Sequence, residues 1–250
     1  MSIQIIQNRL DTYSCATALD EEHAVREIAQ EVVLSALGRT DFFRFAAFHG
    51  GTCLRIFYGL NRFSEDLDFC LHERSASFAL APFLQTVSEE IRAYGLDPEI
   101  QDRSNADAVV KKAFIKDDSL GKVLQFSFLD RSRTMRKISI KIEVDTNPPA
   151  GATSELKYLD FPFVSSATVH DLPSLFSGKL HALLCREYLK GRDWYDFLWY
   201  SSRTISHNVK MLSAALCQSG PWAGQVVTAN AAWCATELSR KIERDRKSVV

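Results

Sequence analysis

Apolar positions along the chain follow two regimes. Up to about residue 165, short runs of period two alternate with runs of period 3.6; beyond it only the helical period remains. Residues 20–37 open on Asp20, Glu21 and Glu22, then carry Val25, Ile28, Ala29, Val32, Val33 and Ala36 at helical spacing. This predicts an amphipathic helix with an acid-rich first turn, ended by Gly38 as a C′ glycine. The aromatic stretch 42–48 reads as a short strand running into His49-Gly50-Gly51-Thr52. A short helix follows over 52–59, with Leu54, Phe57 and Tyr58 on one side. Asp66 to Leu71 then alternates acidic and apolar as a second strand.

Residues 76–94 predict another amphipathic helix, closed by the turn Gly95-Leu96-Asp97-Pro98. Two later stretches, 121–129 and 137–145, have period two. In the second, Ile138, Ile140, Ile142 and Val144 point one way while Ser139, Lys141, Glu143 and Asp145 point the other. The Pro-, Gly-, Ser- and Thr-rich stretch 146–165 reads as a connection. Helices are predicted over 171–189, 193–203, 207–218 and 226–244, the first with Leu180, Leu183, Leu184 and Tyr188 as its core face. The expectation is an α/β domain over 1–165 and a helical domain over 166–250.

Composition adds exclusions. With 46% hydrophobic and 24% charged residues, the 250-residue chain has globular values, which excludes coiled coil and low complexity. The formal charge of −1 leaves no global field to drive it onto nucleic acid or an anionic membrane, so such binding needs local patches. Candidate patches are Arg131, Arg133, Arg136 and Lys137, and the tail residues Arg240, Lys241, Arg244, Arg246 and Lys247; Glu243 and Asp245 make a solvated helix end the plainer reading of the tail. No apolar run is long enough to span a membrane and no secretory signal is visible, so a cytoplasmic protein is expected. Six cysteines without a CxxC pair point to reduced thiols, not to a zinc site or a disulfide scaffold.

Three features carry candidate chemistry. Gly50-Gly51-Thr52, between a strand and a helix, would let a phosphate approach the backbone and meet free N–H groups at the helix start, with the Thr52 hydroxyl as a further donor; the plain alternative is a tight turn. Asp66 and Asp68, two apart on a strand, face one side and favour a hard divalent cation between them; the plain alternative is a solvated edge. Glu143, with Asp145, lies on the polar side of a later strand, where it could complete a metal site or act on an attacking hydroxyl. Further on, Lys179 could reach a triphosphate, Asp193 lies where an N-cap is expected, and Asp196 shares its helical face. The aromatic run from Trp194 to Tyr200 could stack a base, though crowded helix aromatics are more often core. His49, His170 and His181 have no ligand spacing and read as structural.

Taken together, a glycine-hydroxyl turn, a short helix, Asp-x-Asp on the next strand and a later strand acid resemble the nucleotidyltransferase superfamily typified by DNA polymerase beta and the tRNA CCA-adding enzymes. The segment HGGTCLRIFYGLNRFSEDLDF at 49–69 narrows this: Gly50, Gly51, Thr52, Leu54, Arg62, Ser64, Asp66, Leu67, Asp68 and Phe69 match the first motif of the AbiEii family of type IV toxin–antitoxin nucleotidyltransferases. Lys141-Ile142-Glu143-Val144 resembles that family's Lys-hydrophobic-Glu strand. Lys179-Leu180-His181-Ala182-Leu183, Arg186 and the segment Asp193 to Asp196 resemble its Lys-Leu-x-Ala-Leu…Arg-Asp-x-Tyr-Asp segment. The resemblance covers about residues 25–205.

The resemblance implies a polymerase-beta-like α/β (α+β) core with a mixed sheet, followed by a helical domain. It implies a metal site at Asp66, Asp68 and Glu143, filled by Mg²⁺ or Mn²⁺. Gly50, Gly51, Thr52, Arg62, Ser64 and Lys141 would bind the NTP. Lys179 and one of Asp193 and Asp196 would join Asp66, Asp68 and Glu143 in catalysis. The implied acceptor is RNA, the 3′ end of tRNA, with a small helix-turn-helix antitoxin encoded nearby. Transfer to a protein hydroxyl, or nucleotide binding without turnover, are the competing readings.

Overall fold

The computed structural model describes residues 3–105, 108–117, 124–128, 138–188 and 190–248. The chain forms two compact units, one of Met1–Asn147 with Leu156–Val169, the other of Pro148–Glu155 with His170–Val250.

The first unit is built on a mixed sheet. Its strands are β1 (Ala46–His49), β2 (Leu67–Leu71), β3 (Glu99–Asp102), β4 (Val110–Asp117), β5 (Ile138–Asp145), β6 (Ser154–Leu159) and β7 (Ser165–His170), in the order β3-β4-β5-β2-β1-β7-β6. β2 runs parallel to β5 and β1 parallel to β7, while β1–β2, β3–β4 and β4–β5 are antiparallel. The period-two reading of 138–145 holds: all four apolar residues are buried. They face helices α1 (Gln4–Leu10), α2 (Ala18–Gly38) and α5 (Ala81–Ala93), where Ile6, Ile28, Val32, Ile91, Ile115, Ile138 and Ile140 line one apolar interior. Burying a side chain of this kind stabilises the fold by about 1.5–3 kcal/mol. One side of β4–β5 is therefore core, which leaves the polar side for chemistry.

The α2 helix starts on a capping box between Thr17 and Asp20. Gly38 is not the C′ residue the sequence suggests; it is the last helical residue, and its bare Cα lets the helix end approach the sheet, because a Cβ there would lie 2.9 Å from the Ser166 carbonyl oxygen. The predicted strand over 42–48 divides into a helical turn, α3 (Phe42–Phe45), and β1. The cause is aromatic packing: Phe42 meets Phe43, Phe69, Phe78 and Phe83 edge-on or tilted, and a turn of helix brings these rings together. The connection read over 146–165 holds β6, and β3 and β4 lie in a region without strong period-two signal. Of the predicted strand 121–129, residues 124–128 are irregular and the rest lies outside the described residues, as do Arg131, Arg133, Arg136 and Lys137.

The second unit is helical: α6 (Leu172–Cys185), α7 (Gly191–Ser202), α8 (Val209–Gln218) and α9 (Ala231–Ser248), with α7, α8 and α9 each packed on α6. Leu180, Leu183 and Leu184 are core as expected, whereas Tyr188 lies beyond the helix end and is 78% exposed. Of the aromatic run, Trp199 and Tyr200 are buried and Tyr195 and Leu198 face outward, as one-sided burial of a helix requires. No helix among the described residues is long and apolar enough to cross a membrane.

Candidate active site

Register, more than loop geometry, assembles the first cluster. His49 of β1 lies opposite Asp68 of β2, Asp68 opposite Glu143 of β5, and Glu143 opposite Lys112 of β4. Residues directly opposite share a sheet face, so the row Lys112–Glu143–Asp68–His49 crosses four strands on the side away from α1, α2 and α5. Asp66, two residues before Asp68, joins the same face.

The glycine turn borders this row. α4 (Gly50–Tyr58) begins directly after His49, and Gly50 holds φ +80°, which favours glycine. A Cβ on Gly50 would lie 2.5 Å from Asp68 Oδ2, so backbone and carboxylate approach as only a glycine permits. On Gly51 a Cβ would lie 2.8 Å from Ser64 Oγ and 2.9 Å from Arg62 Nη2. The helix start, the Ser64 hydroxyl and the Arg62 guanidinium thus form one donor-rich patch suited to phosphate oxygens. Thr52 differs from its expected use: the residue is buried and its hydroxyl donates to the Asp66 carbonyl at 2.6 Å. What it does locally is tie α4 to the entry of β2.

The electrostatics of the row are uneven. Burial pushes the Asp68 carboxyl up, and Asp66 and Glu143 add to that while His49 and Lys141 oppose it. Glu143 is held below the usual carboxylate range: burial alone would raise it, but Lys141 at 2.7 Å and Lys112 at 3.0 Å overcome that. Lys141 also lies 4.0 Å from Asp66 Oδ2. Asp145, by contrast, turns to accept from the Asn147 N–H at 2.8 Å.

Among the described residues, no three His, Cys, Asp or Glu side chains are arranged to hold a metal ion by themselves. Asp66 and Asp68 nevertheless offer hard oxygens beside the glycine turn. Mg²⁺ and Mn²⁺ favour such donors, and Mg²⁺ commonly takes one or two carboxylates with substrate phosphates completing the shell. The donor set fits an ion that arrives with a triphosphate.

Two contributors carry little or no signal in the sequence. Gln30, buried on α2, donates to the Ser64 carbonyl at 2.9 Å and the Glu65 carbonyl at 2.8 Å, fixing the segment that carries Arg62 and Ser64. Its one sequence mark is a polar residue on an apolar helix face. Lys112 is hidden because β4 itself is.

The second cluster lies within the helical unit. Lys179 Nζ is 2.8 Å from Asp193 Oδ1 and 2.7 Å from Asp196 Oδ2, and Arg186 also pairs with Asp193. Both aspartates are buried. Asp193 is not an N-cap: α7 starts at Gly191, so Asp193 falls in its first turn, and its carboxylate turns to Lys179 and Arg186. Burial opposes its charge, yet the two cations hold it below the usual carboxylate range. His181 is pushed down by burial.

A family model described as nucleotidyl transferase AbiEii toxin, type IV toxin–antitoxin system, matches residues 32–247. No curated protein sequence matches the chain. Among solved structures, the chain resembles MenT4, a nucleotidyltransferase toxin from Mycobacterium tuberculosis, with a TM-score of 0.54 at 19% identity over 96% of this chain and 88% of that one. It also resembles JHP933 from Helicobacter pylori, with a TM-score of 0.50 at 18% identity over 92% of this chain and 97% of that one. These likenesses concern the fold, and they agree with the α/β core read from the sequence. The family match spans the glycine turn, the carboxylate row and the lysine–aspartate cluster, and on it the chain belongs to the AbiEii family of nucleotidyltransferase toxins of type IV toxin–antitoxin systems.

Proposed function

We propose that this nucleotidyltransferase is metal-dependent and moves NMP from an NTP to an RNA acceptor, the 3′ end of tRNA, in the cytoplasm. A cognate helix-turn-helix antitoxin encoded nearby would restrain it. The observation that carries the reading is the approach of the Gly50 backbone to Asp68, which joins a phosphate cradle to a carboxylate pair.

In the reaction the acceptor hydroxyl oxygen bonds to the α-phosphorus, the bond from that phosphorus to the bridging oxygen breaks, pyrophosphate leaves, and the hydroxyl proton passes to solvent or to the departing pyrophosphate. The helix start at Gly50-Gly51, with Arg62 and Ser64, orients the triphosphate. Lys141 lies close enough to the carboxylates to offset charge beside it. Asp66 and Asp68 would hold Mg²⁺ or Mn²⁺, which when bound supplies charge neutralisation at the transferring phosphate. Glu143, restrained by two lysines and held acidic, suits placing the acceptor hydroxyl better than taking its proton. Lys179, with one of Asp193 and Asp196, is the second set that the family resemblance assigns to turnover.

Incubation with total tRNA, Mg²⁺ and each labelled NTP in turn tests this. Label on RNA, abolished when the metal is chelated, is the expected result. Label on a protein and none on RNA would replace the acceptor and leave the transfer chemistry.

A further inference from the structure

The polar side of the sheet does not stop at Glu143. On β4, Lys112, Phe114 and Lys116 alternate with the buried Lys111, Ala113, Ile115 and Asp117, so the first three share the face of the catalytic row. On the edge strand β3, Gln101 lies opposite Phe114 and Glu99 opposite Lys116, and the Arg103 N–H donates to the Lys112 carbonyl just past the strand end. This extends one surface outward from the active row to the sheet edge.

Its chemistry is distinctive. The Arg103 guanidinium lies 5.0 Å over the Phe114 ring, a cation on a π-face. Gln101 Oε1 accepts from both Arg103 and Lys116 at 3.0 Å, so among the described residues these two cations lean on a neutral acceptor. Lys112, with its side chain 47% exposed, pairs with Glu143 and reaches solvent. Over β3, β4 and β5, Arg103, Lys112, Lys116 and Lys141 outnumber Glu99, Glu143 and Asp145 on this face, in a chain with no net positive charge. Cations interleaved with a stacking plane are what a single-stranded nucleic acid needs: phosphate partners and a π-face for a base.

The order of the strands gives the surface a direction. The phosphate cradle lies at β1–α4, the carboxylate pair on β2 and Glu143 on β5. An acceptor hydroxyl placed at Glu143 therefore brings the rest of its strand over β4 and β3. From β2 to β3 there are three strand spacings, about 14 Å, enough for the terminal nucleotides of a strand.

We infer that the exposed face of the β3–β4 hairpin is the acceptor track, where Arg103, Lys112 and Lys116 contact backbone phosphates and the Arg103–Phe114 pair stacks a base next to the reacting 3′ end. The inference rests on the RNA-acceptor reading above and deepens it. A double variant, Arg103→Ala with Lys116→Ala, removes two cations that touch none of the catalytic carboxylates. Fluorescence anisotropy with a single-stranded RNA carrying a free 3′ hydroxyl, without NTP, should show affinity lowered about tenfold or more. The salt dependence should flatten by about 0.7 in slope for each lysine- or arginine-to-phosphate pairing removed. Steady-state kinetics should show a raised KM for RNA, with the KM for NTP, kcat at saturating RNA and the unfolding midpoint unchanged. Phe114→Leu, which keeps an apolar side chain but removes the ring, should weaken RNA binding at least about fivefold.

If the wild type labels RNA and the double variant keeps wild-type RNA affinity and salt slope, the track is wrong and the acceptor reading survives. If the wild type neither binds nor labels RNA but labels a protein, both fall. A variant that loses NTP affinity equally would make the hairpin a structural support and overturn the track.

Discussion

The two charged clusters of this molecule are built on opposite plans. On the sheet, Asp66, Asp68 and Glu143 share a solvent-facing side with Lys141 and Lys112, and the Asp68 carboxyl is driven up by burial and by its neighbours. In the helical unit, Lys179 meets both Asp193 and Asp196, Arg186 meets Asp193, and both aspartates are buried. The first cluster keeps a half-buried carboxyl, Asp68, beside two further carboxylates that its lysines only partly offset, which favours an incoming cation. The second has compensated itself, so its members are held by one another. A residue from the first should matter chiefly for turnover; a residue from the second should matter for turnover and for folding.

The largest effect should come from the sheet. Asp68→Ala removes one of the paired oxygens and is expected to lower the rate by on the order of a thousandfold, the equivalent of several kcal/mol of transition-state stabilisation. Because a crowded carboxylate is removed, the unfolding midpoint should not fall. Single-turnover transfer and a urea titration of the same preparation check both. A large loss of stability would erase the contrast between the clusters.

Next in size is Lys179. Viewed as a sequence, it is a flexible ammonium free to reach a triphosphate; in the fold it is mostly buried between two carboxylates. Lys179→Ala removes the cation that both carboxylates share, and breaking such a buried pair costs about 3–5 kcal/mol. Lys179→Met combined with Asp196→Asn should recover part of that stability without recovering activity. Urea midpoints for the single and double variants decide it: equal midpoints would mean that the cluster is not energetically coupled.

How much of this is legible in the sequence follows from which interactions are local. The Gly50-Gly51 turn, the Asp66-x-Asp68 pair and the face of 138–145 are set by neighbours two or four residues away, so periodicity reveals them. The row that joins them is a matter of register: nothing in the sequence aligns Lys112 with Glu143, or His49 with Asp68, until strands pair. β3 and β4 are hard to see because β4 carries consecutive lysines, one buried with its Nζ bonded to the Asn105 carbonyl and one exposed, which obscures the alternation. Thr52 reads as a phosphate donor because a hydroxyl after two glycines looks available; the Asp66 carbonyl that engages it lies fourteen residues on. Asp193 reads as a cap because the sequence pattern starts its helix two residues later than the fold does.

A smaller effect sharpens the comparison through pH. Asp193 lies below its ordinary carboxylate value in the fold, so between that depressed value and about 3.9 the unfolded chain binds more protons than the folded one, and stability rises with pH. Its contribution should be complete above about pH 4 and vanish as pH falls through the folded value. The stability gap between the wild type and Asp193→Asn, from urea midpoints at successive pH values, should therefore narrow on acidification below about pH 4. A constant gap would show that the charge of Asp193 is not what Lys179 and Arg186 recognise.

The smallest effect concerns the basic tail. Lys241, on α9, donates to the Leu184 carbonyl at 3.1 Å and also to the Arg186 carbonyl, where the last carbonyls of α6 lack helical partners. A cation at a helix C-terminus is favoured by those carbonyls and by the helix dipole, typically by about 0.3–1 kcal/mol. Lys241→Ala should thus lower stability by about that much. The bond holds the end of α6 beside Arg186, which pairs with Asp193, so any fall in activity should follow from the helical cluster and not from nucleic-acid binding. The salt dependence of RNA binding should then be unchanged in Lys241→Ala, whereas a flatter slope would move Lys241 from helix capping to phosphate binding.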